Sequence, residues 1–79
     1  MRLHEIGKTI KELRKEKKLT QEELSNIAGI SRVTLGKIEK GYFGVVSIKT
    51  LDIILSSLGY EIDIKILNGF GLTNLDDLS

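Results

Sequence analysis

The chain has 79 residues, a formal charge of +1, and neither cysteine nor proline. That length holds one small domain with a modest core. The composition excludes disulfides and thiolate metal sites, and there is neither an apolar run of about 18 residues to span a membrane nor the apolar stretch of a secretory signal near the N-terminus, so a cytoplasmic, bacterial or phage-like protein is expected. Charge is divided unevenly: residues 1–41 carry ten Lys/Arg against six Asp/Glu, and residues 42–79 carry two against five. Two surfaces with different partners are therefore expected.

In chain order, residues 3–17 are predicted as an amphipathic helix, with Leu3, Ile6, Ile10 and Leu13 at helical spacing. Lys15, Lys17 and Lys18 lie in or just beyond its last turn, where cations favour the helix dipole. Thr20 and Glu23 form a T-x-x-E capping box that starts a second helix. Leu24, Ile27 and Ala28 are its expected buried side, and Gly29 ends it in a left-handed conformation. Ser31 caps a third helix that runs to about Lys40, with Gly41 as its stop. The loop 41–46 is apolar (Tyr42, Phe43, Val45, Val46) and is expected to pack in part on the body. Ser47 caps a fourth helix with Ile48, Leu51, Leu55 and Leu58 in one stripe, closed by Gly59.

The period then changes. Tyr60-Glu61-Ile62-Asp63-Ile64-Lys65-Ile66 alternates strictly, as a strand does. No second strand of comparable quality exists in the chain, and a lone strand leaves its backbone groups unpaired. Antiparallel pairing with a second copy solves this and makes Tyr60, Ile62, Ile64 and Ile66 the dimerisation residues. A two-fold axis at Ile64 sets Asp63 opposite the partner copy's lysine at position 65, which is favourable. An axis at Asp63 sets that carboxylate against its own copy. Residues 68–79 read as a flexible, acidic tail. The expected organisation is a helical domain over 1–58, a dimerisation strand over 59–67 and the tail over 68–79.

The third helix carries the functional signal. Placed at about 100° per residue, Thr34, Leu35 and Ile38 cluster on one face. The opposite face holds Arg32, Val33, Gly36, Lys37 and Lys40. Arginine donates two hydrogen bonds to guanine O6 and N7, and a small apolar group contacts the thymine methyl. Arg32 and Val33 stand in the first turn, the part that reaches base edges in helix-turn-helix proteins. Ser31 and Thr34 add hydroxyl groups at the same end, although Thr34 suits packing equally. Lys37, Lys40 and Gln21 suit phosphates, where they position the protein without reading sequence. Gly36 is either clearance for a groove wall or a tolerated glycine. Catalysis is not expected: His4 beside Glu5 is a surface pair, and Asp76-Asp77 lacks the fixed surroundings a metal needs. No cofactor or metal is called for.

Gln21-Glu22-Glu23-Leu24, Gly29-Ile30-Ser31-Arg32-Val33-Thr34-Leu35 and Lys37-Ile38-Glu39-Lys40-Gly41 together resemble the lambda-repressor-like, Cro/C1-type helix-turn-helix. The resemblance covers about residues 5–58. It implies a mainly α, four-helix fold and an ion pair between Arg14 and Glu39 that fastens the first and third helices. Ser25 stands where that family usually has alanine, and Gly36 where a small polar residue is common. A body of this kind followed by one short strand resembles the antitoxins of Hip-type toxin–antitoxin modules. That likeness implies a homodimeric, autoregulating transcriptional repressor with a Ser/Thr-kinase toxin partner. A free-standing phage-type repressor is the alternative. Two recognition helices about 34 Å apart require a palindromic operator.

Overall fold

The computed structural model describes residues 2–44 and 46–63. Four helices follow one another: α1 (Leu3–Glu16), α2 (Gln21–Ala28), α3 (Arg32–Glu39) and α4 (Ile48–Ser57). The starts of α2, α3 and α4 are capped as expected. The Glu23 N–H donates to Thr20 Oγ1 at 3.0 Å, and the Thr20 N–H donates back to Glu23 Oε1 at 2.9 Å. Ser31 and Ser47 accept from the N–H groups of Thr34 and Thr50. These caps satisfy donors that have no partner inside the helix.

The four helix ends share one geometry. At each, an N–H just past the helix end reaches back five residues: Leu19 to Arg14, Ile30 to Ser25, Tyr42 to Lys37 and Tyr60 to Leu55. This is the Schellman arrangement, which needs a left-handed residue at the turn. Gly29, Gly41 and Gly59 supply it in three cases. In the first, Lys18 does so at φ 58. The sequence offered no signal for that strained position.

The core is Ile10, Leu24, Ala28, Leu35, Ile38, Ile54 and Leu58. α3 packs on α1 and α2, and α4 packs on α2. Four burial expectations are corrected. Ile27 is 53% exposed and Ser25 is buried in its place. The Ser25 hydroxyl donates to the Glu22 carbonyl at 2.8 Å, so a serine sits there without an unmet donor. In α3 the inner face holds Glu39 beside Leu35 and Ile38, while Thr34 is half-buried. In α4 the deepest residues are Ile54 and Leu58. Ile48 is 77% exposed, and Leu51 and Leu55 are half-buried. Ile53 packs against the core as well. In α1, Leu3 is exposed, whereas Gly7 is buried.

Gly7 explains how closely α1 approaches α3. A Cβ there would overlap the Ile38 carbonyl oxygen and press on the backbone of Glu39 and Gly41. Gly41, at φ +90, lies against the other side of the same crossing, where a Cβ would stand 2.8 Å from the Cα of His4. Two bare positions let the helices meet backbone to backbone.

In the loop after α3, Phe43 and Val46 pack on the core, while Tyr42 is exposed. Val45 lies outside the described residues. Residues 60–63 follow α4 without regular structure. They run beside an apolar groove of about 410 Å³ between α1 and α4, lined by Ile6, Leu13, Leu51 and Leu55. The expected strand has no ladder within 60–63. Its remaining positions, Ile64 and Ile66 among them, and the 68–79 tail lie outside the described residues.

Candidate nucleic-acid interface

α2, the turn at Gly29–Ser31, and α3 form a helix-turn-helix. Sequence chemistry makes the turn: Gly29 takes φ 70 at the end of α2, and Ser31 begins the next helix two residues later. Leu35 and Ile38 then anchor α3 with no exposed surface. Anchoring these two fixes the rotation of α3 and turns its opposite side to solvent.

That side holds the expected residues. Arg32, Lys37 and Lys40 are exposed, and Val33 is 64% exposed. None of these three cations forms an ion pair with a described residue. Arg32 borders a recess of about 510 Å³ shared with Arg14, Thr20, Gln21 and Glu22. On the other flank, Lys37 and Thr34 border a second recess with Tyr42. The outer face of α3 is therefore a ridge between two hollows, a shape that can enter a groove while its flanks meet the walls.

Two hydroxyls expected to face DNA are occupied locally. Ser31 Oγ accepts the Thr34 N–H at 3.0 Å and donates to Thr34 Oγ1 at 2.9 Å. Its first task is to cap α3. Thr34 keeps its own hydroxyl hydrogen to give.

Beneath the ridge lies the expected ion pair, extended by one member. Arg14 Nε donates to Glu39 Oε2 at 2.7 Å and Nη2 to Oε1 at 3.1 Å. Arg14 Nη1 donates to the Leu19 carbonyl at 2.8 Å, tying the α1–α2 turn to the same guanidinium. Gln21 Nε2 donates to Glu39 Oε1 at 3.0 Å. The two side chains of the ion pair are 9% and 2% exposed. A bidentate, nearly buried pair holds its geometry far better than a surface pair does. The Gln21 link was not legible in the sequence, since an eighteen-residue separation carries no periodic signal. The described residues include no cluster of three or more His, Cys, Asp or Glu able to hold a metal. No helix among them is long and apolar enough to cross a membrane.

Comparison with known proteins agrees with this geometry. Residues 10–65 match a family model described as Helix-turn-helix, and the chain belongs to that family in its lambda-repressor-like form. That family is one of helix-turn-helix DNA-binding domains. An immunity repressor protein of Bacillus phage phi105 is 39% identical over 57 residues, covering 72% of this chain and 39% of the relative. The antitoxin PezA of Streptococcus pneumoniae is 51% identical over 49 residues, covering 62% of this chain and 30% of the relative. The chain thus spans well under half the length of either. The restriction-modification controller protein C.AhdI from Aeromonas hydrophila superposes with a TM-score of 0.67 at 32% identity, over 75% of this chain and 88% of that one. Apo-HppE gives a TM-score of 0.68 at 21% identity over 34% of its own length, a likeness of fold alone.

Proposed function

We propose that the chain is a sequence-specific repressor that acts as a homodimer on a palindromic operator in its own promoter. In this reading it is the antitoxin of a toxin–antitoxin operon of Hip type, whose toxin is a Ser/Thr-kinase-like protein, and it works in the cytoplasm. The observation that carries the reading is the exposed, unneutralised outer face of α3. Arg32 and Val33 contact base edges from its first turn, and Lys37 and Lys40 meet phosphates beside it. Gln21, Ser31 and Thr34 contribute from the start of α2 and the cap of α3. Likeness to PezA supports the antitoxin half of the proposal. The kinase partner rests on the sequence architecture after residue 58.

Residues 59–67 are the proposed dimerisation strand, with Tyr60, Ile62, Ile64 and Ile66 on one face and 68–79 as the acidic tail beyond it. Asp63 alternates with them and, with the two-fold axis at Ile64, stands opposite the lysine at position 65 of the second copy. A gel-shift assay on the DNA upstream of the chain's own coding sequence tests the reading. Arg32→Ala and Lys37→Ala should each weaken binding; unchanged binding in both would remove the assigned face. Ile64→Lys should give monomer in analytical ultracentrifugation, and a stable dimer would remove the strand model.

A free-standing phage-type repressor is the second reading, favoured by likeness to the phi105 immunity repressor. Co-purification with the neighbouring gene product separates the two: a bound partner supports the antitoxin, and its absence supports the free repressor.

A further inference from the structure

We infer that Gly36 is a positioning residue for DNA contact: by lacking a side chain it leaves the Gln21 amide open to a phosphate oxygen. The inference rests on the DNA-binding reading of α3. Gly36 lies on the outer half of α3, half-buried, at a helix-interior position where glycine is the poorest choice apart from proline. Space does not require it. A Cβ at Gly36 would meet Gln21 Nε2 at 3.8 Å, an ordinary van der Waals distance, and nothing else within 4 Å. Gly7 and Gly41 differ, because backbone atoms would collide with a Cβ at either. The fold thus accepts alanine at 36, and packing offers no reason for the glycine.

Gln21 supplies the reason. Its amide nitrogen has two hydrogens. One goes to Glu39 Oε1 at 3.0 Å, and Glu39 is itself held by two bonds from Arg14. The amide is therefore preorganised, with one N–H left to give. Bare Gly36 leaves a notch beside that nitrogen, where only Gln21 would come within 4 Å of a Cβ, and Arg32 lines a recess together with Gln21. Glu22 also lines that recess, on its α2 side. A phosphate oxygen entering the notch receives the free N–H, with the Arg32 guanidinium nearby to offset its charge. A methyl group at position 36 would stand against the same nitrogen and close the notch while leaving Gln21 and Glu39 in place.

The test uses the full chain and the duplex that the wild-type chain enriches from a randomised DNA pool. Gly36→Ala is expected to raise the thermal unfolding midpoint and to weaken duplex binding about tenfold, the loss expected for one hydrogen bond to a charged group. Gln21→Ala should weaken binding by a similar factor. The double variant should bind no worse than the weaker single variant, because both changes remove one contact. Gly36→Ala binding within about twofold of wild type overturns the inference, as does a double variant whose losses multiply. A lowered midpoint in Gly36→Ala also overturns it, since the space argued for the methyl would then not exist. If the wild-type chain enriches no duplex, the DNA-binding reading fails and this inference with it. A wild-type chain that binds while Gly36→Ala binds equally well removes the inference alone.

Discussion

Arg14→Met is the most informative perturbation of the fold. It deletes three hydrogen bonds, two to Glu39 and one to the Leu19 carbonyl. Glu39, whose side chain is 2% exposed, keeps only the Gln21 amide as a side-chain donor. Breaking one side of a buried pair leaves an uncompensated charge and destabilises by about 3–5 kcal/mol. A domain of this length has roughly 4–12 kcal/mol in total, so the variant loses a large share of its stability. The midpoint should fall by roughly 12–40 °C, taking about 4–8 °C per kcal/mol for a domain of this size. Replacing both partners, as Arg14→Met with Glu39→Leu, removes the stranded charge together with its mate. Apolar replacement of a whole buried pair is often neutral or stabilising, so the double variant should recover most of the loss. Urea unfolding followed by circular dichroism, run as a double-mutant cycle, measures this. A single-variant loss under about 1 kcal/mol, or losses that simply add, would show that the pair does not fasten α1 to α3. Because Glu39 also orients Gln21, the recovered double variant should still bind DNA less well than wild type.

Three further outcomes follow from particular residues. Gly7→Ala forces a Cβ into the Ile38 carbonyl and should destabilise by about 1–3 kcal/mol as the helices separate; wild-type stability in urea would refute the close crossing. Lys18→Gly relieves a left-handed lysine at φ 58. Relief of about 1–2 kcal/mol, less the greater unfolded-state entropy of glycine, leaves a gain of roughly half a kcal/mol, readable as a raised urea midpoint. In the exposed capping box, the Glu23 carboxyl lies below its ordinary pKa of 4.5, chiefly because it accepts the Thr20 backbone N–H and secondarily through the Thr20 side chain. A group lowered on folding stabilises fully above its unfolded pKa and loses that contribution as pH falls through the folded value. The stability difference between wild type and Glu23→Gln should therefore be constant near neutrality and shrink in acid; a difference that grows in acid would reverse the assigned sign.

Local chemistry was legible through most of the described part of the chain, the left-handed Lys18 excepted. Thr20, Ser31 and Ser47 start helices because a side-chain oxygen can reach an N–H three residues on, and Gly29, Gly41 and Gly59 end them because only glycine enters the left-handed region freely. The four-helix order and the cationic face of α3 follow from spacing alone. Periodicity misjudged which neighbour in a short helix is innermost, as with Ile27 against Ser25 and with Leu51 and Leu55 against Ile54. An eight-residue helix such as α2 makes only about two turns, so several faces fit its pattern almost equally.

The sequence by itself determined the helices, their limits and the chemistry carried by α3, since each depends on residues within a few positions of one another. Only the tertiary structure decided the rotation of each helix, the bare crossing at Gly7 and the attachment of Gln21 to the buried Arg14–Glu39 pair. These depend on residues far apart in the chain that touch only after packing. The functional meaning of Gly36 belongs to the second group, because it rests on the one amide nitrogen that folding places beside it.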